Sequence, residues 1–217
     1  MKTFGKGATC LLASIGLLVG AAAIPAQASA SLEPQPSRTT HTGYVQDCLA
    51  QVDAYNASQG RNVSHDECRT TVTTQLDAST PATVAEVQAA SGLSASEKRS
   101  LVAAAAAGTI QSRHWSQFTT GGAYTRTQNG TMFFNGSEVW VTEVRHGYQG
   151  SHNCFTNYTV EVNISDRACN ESGALNYRVM NSIWNVNLNG TPITYDASMQ
   201  ATVRANGSIE GFGATIG

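Results

Sequence analysis

Apolar residues follow two different periods along this chain. From Tyr44 onward, Val45, Leu49, Val52 and Tyr55 recur at helical spacing, with Tyr44 and Cys48 on the adjoining edge and Gly60 as the stop. Cys68, Val72 and Leu76 keep a four-residue spacing behind Ser64 and Glu67, a capping-box pair, and predict a second helix. The threonines among Thr70 to Thr74 weaken that helix, because branched side chains lose rotamer freedom there. Thr80-Pro81 reads as the start of a third helix through Val84 and Val87, ending at Gly92. Ser94 and Glu97 cap a fourth, which runs through Leu101 and an alanine run to Gly108.

Near Trp115 the period changes to two. Tyr158, Val160, Val162 and Ile164 alternate with polar residues, and so do Ile193, Tyr195, Ala197, Met199, Ala201 and Val203, which predicts strands with one buried face. Leu175, Tyr177 and Val179 are odd-numbered while Trp184, Val186 and Leu188 are even, so a bulge or break is expected near Asn181-Ser182. Four Asn-Gly pairs, at Asn129, Asn135, Asn189 and Asn206, mark hairpin turns, since both residues tolerate positive φ. Roughly seven to nine strands over about one hundred residues fit a β-sandwich better than a closed barrel. The expected fold class is α+β, an N-terminal disulfide-linked helical segment followed by an antiparallel β-sandwich. Residues 1–30 read as a signal peptide, 31–42 as a flexible tail carrying Pro34 and Pro36, 43–112 as a helical region and 113–217 as the sandwich.

The leader rests on Lys2 and Lys6, an apolar stretch from Ala8 to Ala23 too short to span a bilayer, and the small residues of Ala26-Gln27-Ala28. Export makes disulfides the default for the four remaining cysteines, and their clustering favours the local pairs Cys48–Cys68 and Cys154–Cys169. Lys98 is the only lysine left, and the Ala/Thr/Gly-rich composition suggests a bacterial source. The expected location is secreted, with no integral membrane insertion.

Charge narrows the partners. Removing Lys2 and Lys6 takes 13 basic against 15 acidic residues from −2 to −4, which leaves no electrostatic footprint for nucleic acid. The stretch from Thr83 to Ala107 resembles the helix-turn-helix of DNA-binding regulators. Its second helix carries only Lys98 and Arg99 before a run of alanines, so an ordinary helix pair is the reading kept.

No motif fixes a catalytic group or a cofactor. His146 and His152 lie near Cys154, but a metal site would need Cys154 to leave its disulfide. There is no Gly-x-Ser-x-Gly elbow, and Glu138 with Glu143, or Glu161 with Asp166, read as exposed charges rather than a glycosidase pair. Aromatics concentrate in the β half, where Trp140 and Trp184 are the candidates for stacking on sugar rings, with core packing as the competing role. Nine Asn-x-Ser/Thr sequons are explained more simply by turn chemistry in a bacterial protein. The function expected is non-enzymatic surface recognition of an extracellular partner, glycan or cell-envelope component. The alternatives are a secreted hydrolase with the helical half as a pro-segment, and a secreted protease inhibitor presenting a loop held by Cys154–Cys169.

Overall fold

The computed structural model describes residues 36–83, 85, 94–106, 108–121 and 123–212. The expected leader, and the helix expected from Val84 to Gly92, lie outside these residues apart from position 85.

Strand structure begins far earlier than residue 113. One antiparallel sheet contains β1 (Ser37–Tyr44), β2 (Arg69–Leu76), β4 (Gln111–Gly121), β5 (Tyr124–Phe134) and β6 (Val139–Trp140) in that order; β3 (Thr80–Pro81) also pairs with β4, and β7 (Ser151–Thr159) with β5. The second sheet has the order β11 (Ile209–Phe212), β10 (Thr194–Arg204), β9 (Tyr177–Leu188), β8 (Val162–Ala174). Among the described residues two α-helices of more than one turn accompany them, α1 (Gln46–Gln59) and α2 (Ala95–Ala106). Leu32–Gly217 fall into one compact unit, so the helical region is not separate from the sheets.

The second expected helix is β2. Thr70, Val72, Thr74 and Leu76 all face inward, so the four-residue spacing of the apolar pair was every second turn of a period-two pattern whose other members are threonines. Branched side chains favour that outcome. Ser64 caps only a single turn, His65–Cys68, by accepting from the Asp66 amide. Residues 37–42 are not a tail: β1 pairs with β2 along its length, and Thr40 and Thr42 hydrogen-bond Thr73 and Thr71 at 3.2 and 2.9 Å. Thr80-Pro81 also forms a strand rather than a helix start. The helices α1, stopped at Gly60 in the left-handed conformation, and α2, with its Ser94–Glu97 box closed, follow the sequence reading.

Asn135-Gly136, Asn189-Gly190 and Asn206-Gly207 are turns with positive φ at each glycine. Asn129-Gly130 is not a turn. It lies in the middle of β5, where a Cβ on Gly130 would sit 1.8 Å from the Ser151 carbonyl oxygen of β7. No bulge interrupts β9, whose pairing with β10 is continuous; Tyr177 and Val179 simply face outward. The irregularities are elsewhere, where β5 meets β7 at Thr125/Arg126 and in β8 between Asp166 and Ala168. The single strand expected through Tyr158 to Ile164 is broken by a turn at Val160 and Glu161, the latter at φ 58°, which leaves Tyr158 and Val160 exposed.

The two sheets share their interior, an arrangement consistent with a sandwich. One apolar cluster joins Val45, Cys48 and Val52 beside α1 to Tyr124, Trp184 and Tyr195, and another joins Trp115, Met132 and Phe134 to Met180 and Val203. Along β5 the inward-facing buried positions run Tyr124, Arg126, Gln128, Gly130, Met132, so a polar belt separates the two clusters. Both expected disulfides are formed. Cys48–Cys68 ties α1 to the turn before β2, and Cys154–Cys169 ties β7 of one sheet to β8 of the other. No helix among the described residues is long and apolar enough to cross a membrane.

Candidate functional site

The two tryptophans singled out for stacking are both fully buried, at 0% exposure. Trp184 packs edge-on to Tyr124 at 6.1 Å, with the Arg126 guanidinium 5.7 Å from its ring. Trp140 stacks on Phe133 at 6.0 Å and donates Nε1–H to the Tyr148 carbonyl at 3.1 Å, in a cluster that Leu101 and Val102 of α2 pack against. Neither ring can meet a sugar. The largest apolar surfaces went inside, as the hydrophobic term favours.

Other rings are exposed, on the outer face of the first sheet. Residues paired across antiparallel strands share a face, so the register lays out rows across this surface. One row reads Thr42, Thr71, Thr120, Thr125, Tyr158; the next reads Thr40, Thr73, Phe118, Thr127, Phe155; a third reads Arg38, Gln75, Ser116, Asn129, Asn153. Strands lie about 4.8 Å apart, and same-face residues about 6.7 Å apart along each strand. Hydroxyls, amides and three aromatic rings therefore tile the face, and Arg38, whose guanidinium lies 6.0 Å from the Phe118 ring, is the only charged residue in these rows. Phe155 and Tyr158 are 39% and 56% exposed. Position parity could have found them: Phe118 opposes the buried Trp115, Gln117 and Thr119 of its strand, and Phe155 the half-buried His152, Cys154 and Thr156 of its own.

Inside the sheet, one row of the belt ends at a disulfide. Gln117 Nε2 donates to the Gln200 carbonyl at 3.0 Å and to Thr74 Oγ1 at 3.1 Å, while Gln128 Nε2 donates to the Met199 carbonyl at 3.3 Å and to Gln117 Oε1 at 2.6 Å. A peptide carbonyl only accepts, so both amides have one permitted orientation. Gln128 Oε1 is thus the acceptor facing His152 Nε2 at 2.9 Å, and that nitrogen carries the hydrogen. The same nitrogen lies 3.4 Å from Cys154 Sγ and 3.9 Å from Cys169 Sγ. Burial holds the imidazole below its ordinary range, against a smaller opposing pull from Glu171. His152, Cys154 and Cys169 gather as metal ligands would, but the sulfurs are bonded to each other and offer no thiolate.

Beside this row, Arg126 is 1% exposed and pairs with Asp166, which is 64% exposed. Its guanidinium also reaches Thr156 Oγ1 at 2.9 Å and Ser182 Oγ at 3.3 Å. The two register irregularities flank this group, and bulges of this kind re-aim side chains.

Several other titratable residues form ordinary ion pairs, while the buried Arg113 donates to the Asp77 and Gly207 carbonyls. Glu138 takes His146 at 3.0 Å and Arg145 at 3.5 Å, and Glu143 takes Arg145 at 3.0 Å and Arg178 at 2.6 Å. Hydrogen bonding from Arg145 holds the Glu143 carboxyl below the usual carboxylate range. His65 pairs with Asp53. Glu161 sits in the β7–β8 turn, apart from Asp166 on its arginine. The chain closed by Cys154–Cys169 runs through this β7–β8 turn, where Val160 N–H donates to the Ala123 carbonyl at 2.8 Å. A groove of about 730 Å³ between α1 and the β9–β10 turn is lined by Gln51, Tyr55, Pro192 and Ile193 and brings no catalytic set together.

These features define a two-sheet antiparallel β protein with one threonine-rich, aromatic-bearing outer face and one half-exposed disulfide beside a half-buried histidine. No protein-family model, no curated protein and no solved structure matches the chain.

Proposed function

We propose that this is a secreted, non-enzymatic β-sandwich protein, with residues 1–30 as its leader, that binds a neutral polysaccharide of the cell envelope or extracellular matrix. The binding surface is the outer face of the β1–β7 sheet. One observation carries the reading: rows of threonine, serine, asparagine and glutamine alternate there with Phe118, Phe155 and Tyr158, and Arg38 is the only charged residue in these rows. A flat ring matches the C–H face of a pyranose, and neighbouring hydroxyls and amides can donate to and accept from the sugar hydroxyls. A phosphate-bearing partner would need a stripe of basic side chains, which these rows lack. The two disulfides suit an oxidising exterior.

The test is a pull-down on insoluble neutral polysaccharides and a glycan array, with the variant Phe118→Ala/Phe155→Ala/Tyr158→Ala beside wild type. Binding that persists at 1 M salt and falls at least about tenfold in the variant supports the proposal, each lost stacking contact being worth roughly 1 kcal/mol. Binding unchanged by the triple substitution, or confined to acidic glycans and abolished by salt, overturns it. Asn181→Ala, on the outer face of the other sheet, should leave binding intact.

A further inference from the structure

The two disulfides differ in a way that their cross-linking role does not require. Cys48 and Cys68 are 0% and 1% exposed. Cys169 is exposed and Cys154 half-buried, on edge strands of different sheets. Among the described residues, only this second pair has a ring nitrogen beside it, His152 Nε2, at 3.4 Å from the more buried sulfur and 3.9 Å from the more exposed one; its hydrogen goes to Gln128 Oε1 at 2.9 Å while the sulfurs are bonded to each other. Two backbone carbonyls, through the glutamine amides, fix the hydrogen on that nitrogen. A disulfide sulfur is a weak acceptor and leaves that hydrogen with the amide oxygen, whereas a thiolate at the same place is a strong acceptor that draws it over.

We propose that Cys154–Cys169 is a thiol-exchange site, attacked at Cys169 by small external thiols, with Cys154 as the leaving group. In the first step an external thiolate forms a bond to Cys169 Sγ and the Cys154–Cys169 bond breaks. The electron pair stays on Cys154 as a thiolate, which takes the single His152 Nε2–H over from Gln128 Oε1. With a dithiol, the second external thiolate then attacks its own sulfur of the mixed disulfide, releasing the cyclic oxidised dithiol and Cys169 as a thiolate. The protein disulfide gains two electrons, the dithiol loses two, and its two protons pass to the cysteine sulfurs. With a monothiol such as glutathione the first step stops at a mixed disulfide on Cys169. A stabilised leaving thiolate speeds exchange, and access decides which sulfur is attacked. Either product opens the staple between β7 and β8 while α1 stays tied by the buried pair.

The folded protein is incubated with glutathione or dithiothreitol, quenched with acid and an alkylating agent, and followed by intact mass and peptide mapping. Cys154 and Cys169 should open while Cys48–Cys68 remains closed, and glutathione should be found on Cys169. The variant His152→Phe, which keeps a ring against Trp115 but lacks the donor, should exchange about tenfold more slowly. If that variant does not fold, the wild-type regiochemistry alone decides. Glutathione on Cys154, both disulfides opening together at the unfolding rate, or a folded His152→Phe exchanging as fast as wild type each overturns the proposal.

Discussion

Gln128 is where the buried belt is most exposed to test. It is 0% exposed and engages three groups: it donates to the Met199 carbonyl and Gln117 Oε1, and accepts from His152 Nε2–H. Gln128→Leu keeps most of the volume and takes a partner from all three. A buried polar group left without its partner costs about 1–3 kcal/mol, and burying the leucine returns about 2 kcal/mol, so a net loss of about 4 kcal/mol is expected. Gln128→Glu separates hydrogen-bond direction from packing. The carboxylate still accepts from His152, but it loses both donors and sets negative charge against two acceptor oxygens. It should therefore cost at least about as much as leucine at pH 7 and turn the His152 ring into an imidazolium. Urea unfolding followed by the fluorescence of the buried tryptophans measures the first, with disulfides kept oxidised, and ¹⁵N NMR of the imidazole reads the second. If Gln128→Glu lies within about 1 kcal/mol of wild type, or if wild-type His152 carries its proton on Nδ1, the assignment of donors along the belt is wrong.

Two other outcomes follow from the same interior. Gly130→Ala should destabilise by about 3 kcal/mol or more in the same assay, because its Cβ would meet the Ser151 backbone oxygen at 1.8 Å and strands β5 and β7 cannot both hold their places; a change under about 0.5 kcal/mol would contradict that contact. His152 is a base whose folded-state pKa lies below its unfolded value, so the unfolded chain takes up the proton first. Its contribution is therefore complete above about pH 6.5 and is lost progressively as pH falls further, seen as a falling urea midpoint that flattens in His152→Phe.

Local chemistry was legible wherever one residue type decides the matter. Ser94 with Glu97 closed a real capping box, Gly60 stopped α1, three of the four Asn-Gly pairs turned the chain, and the cysteines joined within their clusters. Reading failed where a polar residue was buried or an apolar one exposed. Thr70 and Thr74 face the interior, so β2 passed for a helix, and β1, all polar and exposed, passed for a tail until β2 supplied its partner. Gly130 carries a turn signal but serves a close approach between strands, which depends on a residue twenty-one positions away.

The sequence by itself determined two things here: an alternating, turn-punctuated β protein, and cross-links made between neighbouring cysteines. Both depend on contacts close along the chain, where spacing and backbone preference suffice. Only the tertiary structure decided which rings are hidden, how the belt of glutamines fixes the His152 hydrogen, and which disulfide faces water. Those follow from register and from sheet-on-sheet packing, where a shift of one residue sends every side chain to the opposite face.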